Sequence, residues 1–279
     1  MSDTLRAACV QVNSSADKDE NLETTAGLVA QAAARGAEVV LLPEKWNARG
    51  TAEVNIANAE GLDSGRTVDA MRAWAREHRI TLIGGSICEL REGQDKPSNT
   101  SLVFDPDGEI SALYRKIHLF DVDVGGEVHR ESDSAEPGDE PVLCDIRGWQ
   151  VGLTVCYDLR FPELYRLLTV QGAEILTVPA AFTSYTGKDH WELLLRARAV
   201  ENQCYVLAAD EWGNRGSDGG SSYGRSMIVD PWGVVLAQAG DEDCVIVADL
   251  DRERLTAIRA SLPSLRHRQP VAYEQATVL

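Results

Sequence analysis

No apolar run in the chain approaches the roughly 20 residues that cross a bilayer as a helix. The amino-terminal Met1-Ser-Asp-Thr-Leu-Arg has no apolar signal region. No low-complexity tract and no long Pro-, Ser- or Gly-rich linker divides the chain. The six cysteines (9, 88, 144, 156, 204 and 244) form no C-x-x-C pair, and the five histidines form no H-x-x-x-H pair. Neither a disulfide framework nor a metal site is therefore expected. Positive charge is scarce, with 27 Lys and Arg against 44 Asp and Glu and a net charge of −17. Such a surface repels nucleic acid and anionic lipid, so neither is an expected partner. These absences leave a cytoplasmic protein whose 279 residues, 44% of them apolar, can bury a large core as one domain.

The chain states its plan twice. Gly36-Ala-Glu-Val-Val-Leu-Leu-Pro-Glu44 is echoed by Gly172-Ala-Glu-Ile-Leu-Thr-Val-Pro-Ala180, each reading as a glycine cap, a buried strand and a proline stop. Ser101-Leu-Val-Phe-Asp-Pro-Asp-Gly108 is echoed by Ser226-Met-Ile-Val-Asp-Pro-Trp-Gly233, a strand running into an Asp-Pro-x-Gly turn. Opening strands fall at 5–12 and 149–156, and helices at 20–34 and 162–171. Second helices follow at 67–78 and 188–202, then strands at 80–88 and 204–209. Each half is β-α-β-α-β plus a hairpin. The strand runs Val39–Leu42 and Ile175–Val178 are apolar on both faces, as strands covered on both sides must be. The expected fold is α/β, a four-layer α-β-β-α sandwich with internal pseudo-two-fold duplication.

Some polar residues interrupt this pattern. Strand-like residues 151–155 deliver Cys156 to a polar turn before Pro162 opens a helix, which presents a thiol at a strand end. Glu44 ends a strand after Pro43, where sheet-borne sites usually lie, while the matching place in the second half holds Ala180. Lys116 follows the first hairpin. Together a Cys, a Glu and a Lys can hydrolyse an amide. Taken singly, each has a plainer reading: a buried small hydrophobe, a solvated strand end and a snorkelling surface lysine. Glu131, in a long polar loop, reads by itself as a solvated carboxylate. His118 has no orienting acid near it in sequence, so a Cys–His pair is the lesser alternative. Arg160 could hold a substrate carboxylate, but its spacing from Glu163 favours an ion pair on a helix surface. Phe182 could line a pocket or pack in the core.

The segments Leu41-Leu-Pro-Glu-Lys-Trp46, Tyr114-Arg-Lys-Ile-His-Leu-Phe-Asp121, Cys156-Tyr-Asp-Leu-Arg-Phe-Pro-Glu163 and His190–Asn202 carry a family likeness in the right order and spacing. Through them the chain resembles the nitrilase superfamily of carbon–nitrogen hydrolases over essentially its whole length. Ala181-Phe-Thr-Ser184 and Tyr223–Gly233 make it most similar to the Nit branch, with its ω-amidases and deaminated-glutathione amidases. The resemblance implies an α-β-β-α sandwich that packs its helices into homodimers or larger assemblies, and a small amide as substrate with no cofactor. It implies Glu44 as general base, Lys116 as oxyanion-stabilising lysine, Cys156 as nucleophile and Glu131 as the carboxylate that helps position them. The backbone N–H of Tyr157, just after the nucleophile, would join Lys116 at the oxyanion. Two departures bear on the substrate. The loop 124–130 borders the pocket, and Tyr185 stands where a small residue is expected, so that its ring would reshape the acyl pocket beside Phe182.

Other readings compete. An N-carbamoyl-amide hydrolase or a true nitrilase could use the same three residues. Asp218-Gly-Gly-Ser-Ser222 resembles the Gly-Gly-Ser-Ser of the amidase-signature hydrolases, which use Ser–Ser–Lys chemistry, but it stands alone in a stretch that reads as a flexible loop. A non-catalytic binding or scaffold protein would not need the full Glu, Lys and Cys set. The segment 262–279 reads as an extended tail, expected to pack on a partner subunit.

Overall fold

A computed structural model describes residues 3–214 and 220–274. The first half runs β1 (Thr4–Gln11), α1 (Lys18–Ala34), β2 (Val39–Leu41), α2 (Ala52–Ala57), α3 (Arg66–His78), β3 (Thr81–Ile83), β4 (Ile87–Glu89), β5 (Ser98–Phe104) and β6 (Ile110–Arg115). A small hairpin, β7 (Asp121–Val124) and β8 (Glu127–Arg130), leads to the second half. There follow β9 (Val142–Ile146), β10 (Trp149–Leu153), α4 (Pro162–Val170), β11 (Ile175–Ala180), α5 (Ser184–Asn202) and β12 (Tyr205–Asp210). The short β13 (Trp212–Gly213) and β14 (Ser222–Tyr223) come next, then β15 (Met227–Val229) and β16 (Val235–Gln238). The last elements are β17 (Cys244–Asp251), α6 (Arg252–Ser261) and α7 (Pro270–Glu274).

Both halves build the same sheet. β1, β2 and β3 run parallel, as do β10, β11 and β12. Each trio gains an antiparallel strand on one side, β17 beside β1 and β9 beside β10, and an antiparallel hairpin on the other, β5–β6 and β15–β16. The echo extends to single hydrogen bonds. Asp105 Oδ1 accepts from the N–H groups of Asp107 and Glu109, and Asp230 Oδ1 accepts from those of Trp232 and Val234. Gly108 and Gly233 close the two turns at φ of 82° and 85°, a region open to glycine. Each hairpin has its bulge at the same place, between Val103 and Phe104 and between Ile228 and Val229. The duplicated plan is thus present in the fold.

Side-chain parity along the strands orders the layers. Ala8, Val10, Val40, Leu42, Leu82 and Leu102 face α1 and α3, packing with Val29, Ala32, Val68 and Met71. Their neighbours Ala7, Cys9, Val39, Leu41, Ile83 and Val103 turn the other way, into the cluster that holds the second sheet and the buried faces of α4 and α5.

Two expectations are corrected. Residues 80–88 do not form one strand: the chain leaves β3 at Gly84 and Gly85 and re-enters as β4. A Cβ on Gly85 would stand 1.8 Å from Pro43 O, so the chain can pass this close only as glycine. Beyond Leu262 the chain is not extended; it turns through 263–266 and forms α7.

Candidate active site

The break between β3 and β4 seats the first site residue. Ser86 N–H donates to Pro43 O at 3.1 Å and Lys45 N–H donates to Ser86 O at 2.9 Å, which fixes the chain on either side of Glu44. Glu44 N–H reaches Ala180 O at 3.3 Å, so the two matching strand ends of the two halves meet. The Glu44 carboxylate is buried. Its Oε1 accepts from Lys116 Nζ at 3.0 Å and Asn99 Nδ2 at 2.8 Å, and its Oε2 from Ala181 N–H at 3.0 Å.

Lys116 follows β6 and is 1% exposed. Its ammonium lies between Glu44 and Glu131, 2.7 Å from Glu131 Oε2. Glu131 is therefore not the solvated loop carboxylate that its local sequence suggests. The hairpin β7–β8 returns the chain so that Glu131 opens a 3₁₀ turn (Glu131–Asp133) with its carboxylate buried, accepting also from Phe120 N–H at 2.9 Å, Lys45 Nζ at 2.9 Å and Asn99 Nδ2 at 3.1 Å.

Cys156 begins the 3₁₀ turn Cys156–Arg160 with a left-handed backbone, φ 49°. Its thiol faces Glu44, Lys116 and the N–H of Ala181. Burial, and then Glu44, push this thiol well above its ordinary range, against the pull of Lys116. Burial opposes charge on Glu44 as well, but Lys116 and then Lys45 outweigh it and hold the carboxyl below its ordinary value. Glu131 is likewise held below its ordinary value by Lys116 and Lys45 despite its burial. The resting site is a thiol, two carboxylates and two ammonium groups.

These residues line a cavity of about 310 Å³, within the range of small-molecule sites. Tyr157 and Phe182 line it too. Tyr157 is the second residue of its 3₁₀ turn, where N–H groups lack partners within the turn. Phe182 packs on Trp191, which is itself core and donates to Arg225 O. Arg160 forms no ion pair with Glu163 among the described residues. It lies over Phe182 at 5.0 Å and Tyr157 at 6.0 Å, with Nη1 3.2 Å from His190 Nδ1, and it lines the cavity. Tyr185 is not in the cavity wall. It is 59% exposed, and its ring packs against the turn of the β7–β8 hairpin at Gly125 and near the Lys188 ammonium.

Sequence reasoning missed Lys45, Asn99 and Asp158. Asp158 is the acid that His118 lacked in the local sequence: His118 Nδ1 lies 2.7 Å from Asp158 Oδ1. Asp158 also accepts from Tyr114 Oη at 2.7 Å and Val155 N–H at 2.8 Å, tying the cysteine turn to β6. His118 stacks on Phe161 and is not among the residues lining the cavity. Of the Gly-Gly-Ser-Ser stretch, Asp218 and Gly219 lie outside the described residues. Ser221 bonds Ser184, Ser222 sits in β14, and neither lines the cavity. Among the described residues no group of three or more His, Cys, Asp or Glu could hold a metal ion, and no helix is long and apolar enough to cross a membrane.

Two matched α/β halves carrying Glu, Lys and Cys into one cavity define a hydrolase of carbon–nitrogen bonds. The chain belongs to the carbon-nitrogen hydrolase family, whose model matches residues 6–260. Within it, the chain is similar to proteins of the Nit branch. It is 40% identical to the deaminated glutathione amidase of Synechocystis sp. over 94% of this chain and 97% of that protein. It is likewise 40% identical to the omega-amidase NIT2 of Homo sapiens over 97% of both. Among solved structures, Nit3 of Saccharomyces cerevisiae, a member of branch 10 of the nitrilase superfamily, aligns with a TM-score of 0.85 at 34% identity, over 93% of this chain and 94% of that one. The C. elegans NitFhit protein aligns equally well at 35% identity over 95% of this chain, which spans 65% of that longer chain. A mutant amidase from Nesterenkonia sp. AN1, carrying acrylamide added at its active site cysteine, aligns at 0.78 and 29% identity over 93% and 98%.

Proposed function

We propose that this hydrolase is a cysteine amidase that cleaves a small carboxamide bearing a second, negatively charged group. The observation that carries this reading is the Cys156 thiol at the wall of the cavity, facing a Glu44 carboxylate that is itself bonded to Lys116. A thiol so far above its ordinary range needs a base, and Glu44, held ionised, is that base. Glu44 takes the thiol proton as Sγ bonds to the amide carbon, and the carbonyl electron pair moves onto oxygen. Lys116 and the N–H of Tyr157 stabilise the oxyanion. When it collapses, the C–N bond breaks and Glu44 returns the proton to the leaving ammonia. Glu44 then takes a proton from a water whose oxygen attacks the thioester carbon. The C–S bond breaks, Glu44 returns that proton to Sγ to restore the thiol, and the product acid gives up its own proton to the released ammonia and leaves as the carboxylate. Glu131 and Asn99 hold Lys116 and Glu44 in register. No step draws on a metal or cofactor.

The charge of the cavity supports an anionic substrate. Among the described residues, Lys45, Arg49, Lys116, Arg130 and Arg160 line it against the carboxylates of Glu44 and Glu131, in a chain of net charge −17. Arg160, braced by two rings and His190, presents a guanidinium suited to a carboxylate. The names of the relatives, an ω-amidase and a deaminated glutathione amidase, point the same way.

Ammonia release by wild type and Cys156→Ala tests the proposal. The panel is α-ketoglutaramate, deaminated glutathione, a neutral aliphatic amide, a carbamoyl amino acid and a nitrile. Release from an anionic amide, lost in the variant, is expected. Activity that survives in Cys156→Ala overturns the nucleophile, and a preference for the neutral amide, the carbamoyl compound or the nitrile overturns the substrate class.

A further inference from the structure

Lys45, one of the charged residues of the cavity, has no part in the reaction written above. Lys45 follows Glu44 directly, yet its backbone is left-handed at φ 51°, a conformation rare for residues with a side chain. The turn is held from the neighbouring segment. Lys45 N–H donates to Ser86 O and, at 3.3 Å, to Ser86 Oγ, and Trp46 Nε1 donates to Gly84 O at 2.9 Å. In an extended chain, successive side chains leave on opposite faces. Here the left-handed turn places both Glu44 and Lys45 on the same cavity.

The consequence is an alternating row of charges. Lys45 Nζ is 2.9 Å from Glu131 Oε1, Glu131 Oε2 is 2.7 Å from Lys116 Nζ, and Lys116 Nζ is 3.0 Å from Glu44 Oε1. Asn99 Nδ2 bridges the two carboxylates. Without Lys45 this buried row would hold two carboxylates against one ammonium. The excess negative charge would then oppose both a thiolate at Cys156 and an oxyanion beside it.

We propose that Lys45 is an electrostatic positioning residue, which anchors and neutralises Glu131 so that the charge of Lys116 acts on Cys156 and the oxyanion. This rests on the cysteine mechanism proposed above. Lys45 itself touches no reacting atom. Burial works against its charge, but Glu131 and then Glu44 outweigh burial and Lys116 and keep it an ammonium. The groups that face Cys156 are Glu44, Lys116 and Tyr165; Cys88 is faced in turn by Lys45, Glu131, Glu44 and Lys18.

The test compares Lys45→Met, Lys45→Arg, Glu131→Gln and the Lys45→Met/Glu131→Gln double variant. Two quantities are read: kcat and KM on the amide that wild type hydrolyses, and the pH dependence of Cys156 alkylation by iodoacetamide, followed on its peptide by mass spectrometry. Lys45→Met is expected to lower kcat roughly ten- to a hundredfold, less than or comparable to loss of an oxyanion donor, with KM within about threefold. Removing a cation raises the pH at which Cys156 alkylates, and Lys45→Arg restores most of both effects. In the Glu131→Gln background the same substitution is expected to cost less than about threefold, since no stranded carboxylate remains. An unchanged alkylation profile, full additivity with Glu131→Gln, or a raised KM at wild-type kcat overturns the proposal; the last would make Lys45 a substrate-binding group. Should Lys45→Met alone fail to fold, the comparison of Lys45→Arg with wild type, and of Glu131→Gln with the double variant, still decides. If wild type hydrolyses no amide, it is the proposed reaction that fails, and the alkylation profiles still judge Lys45.

Discussion

Lys45 and Cys156 both hold left-handed backbone at the cavity wall, at a cost of about 1–2 kcal/mol each for residues with a Cβ. Such strain persists only where surrounding bonds fix it, and here Ser86 and the Asp158 carboxylate do so. Another buried carboxylate lies behind the site. Glu211 accepts from Ser14 N–H and Oγ, and burial, opposed by Arg49 and then Ser14, pushes it from its ordinary 4.5 up to about 7. A carboxyl raised in the folded state favours folding where it stays protonated and loses that advantage as pH rises. Its share of stability is therefore full below about pH 4.5 and is lost by pH 7, by on the order of 3 kcal/mol. Urea unfolding at pH 5.5 and pH 8 should show this slope flattened in Glu211→Gln; an identical slope in wild type and variant would dismiss Glu211 as its source. Glu44 and Cys156 were legible in sequence because each stands at the end of an apolar run, Lys116 because it follows the first hairpin, and all three because the family motifs surround them. Lys45 was not, since a lysine beside a glutamate reads as surface, and no apolar pattern reports a φ angle. Asp158 stands two residues from the nucleophile, but its partners Tyr114 and His118 come from 40 or more residues away.

At the scale of elements, the echoes in sequence were reliable where they rested on turn chemistry. The Asp-Pro-x-Gly turns and the glycine caps recur with the same bonds in both halves because Asp and Gly dictate local geometry. The reading failed where a tertiary contact decides. Residues 80–88 have the composition of one strand, and only the approach of Pro43 explains the gap at Gly84 and Gly85. Gly85 has φ 63°, and a methyl group there would displace Pro43 and the Glu44 that follows. Gly85→Ala is thus expected to lower stability by more than about 3 kcal/mol and to reduce activity even where folding is retained. Chemical denaturation together with ammonia release measures both, and a variant of wild-type stability and rate would show that the gap does not seat Glu44. The β7–β8 hairpin reads as a loop in sequence because its strands are only four residues long and rich in charged residues. It nonetheless carries His129 and Arg130 to the cavity, with Tyr185 as its outer prop.

The two halves share a topology but not a surface, and this asymmetry bears on assembly. The helices over the first sheet, α1 and α3, keep their large apolar side chains buried or half-buried. Those over the second do not: Leu167 and Val170 on α4, and Leu193 and Val200 on α5, are 40–66% exposed. Leu193 and Val200 are seven residues apart, on one face of α5. Near Val200 lies the turn that carries the exposed Trp232. A duplicated fold has no internal reason to leave one helix layer apolar and exposed, so the layer of α4 and α5 is expected to be covered by a second copy related by a two-fold axis. Light scattering should then give a dimer or larger assembly for wild type, and Leu193→Glu with Val200→Glu should dissociate it, since two carboxylates would have to be desolvated at each self-complementary contact. The segment after Ser261, with Leu262, Val271 and Tyr273 exposed, is expected to add to the same contact. A wild-type monomer would refute the interface, whereas a truncation after Ser261 that keeps a normal dimer would leave the helix layer as the interface and remove the tail from it.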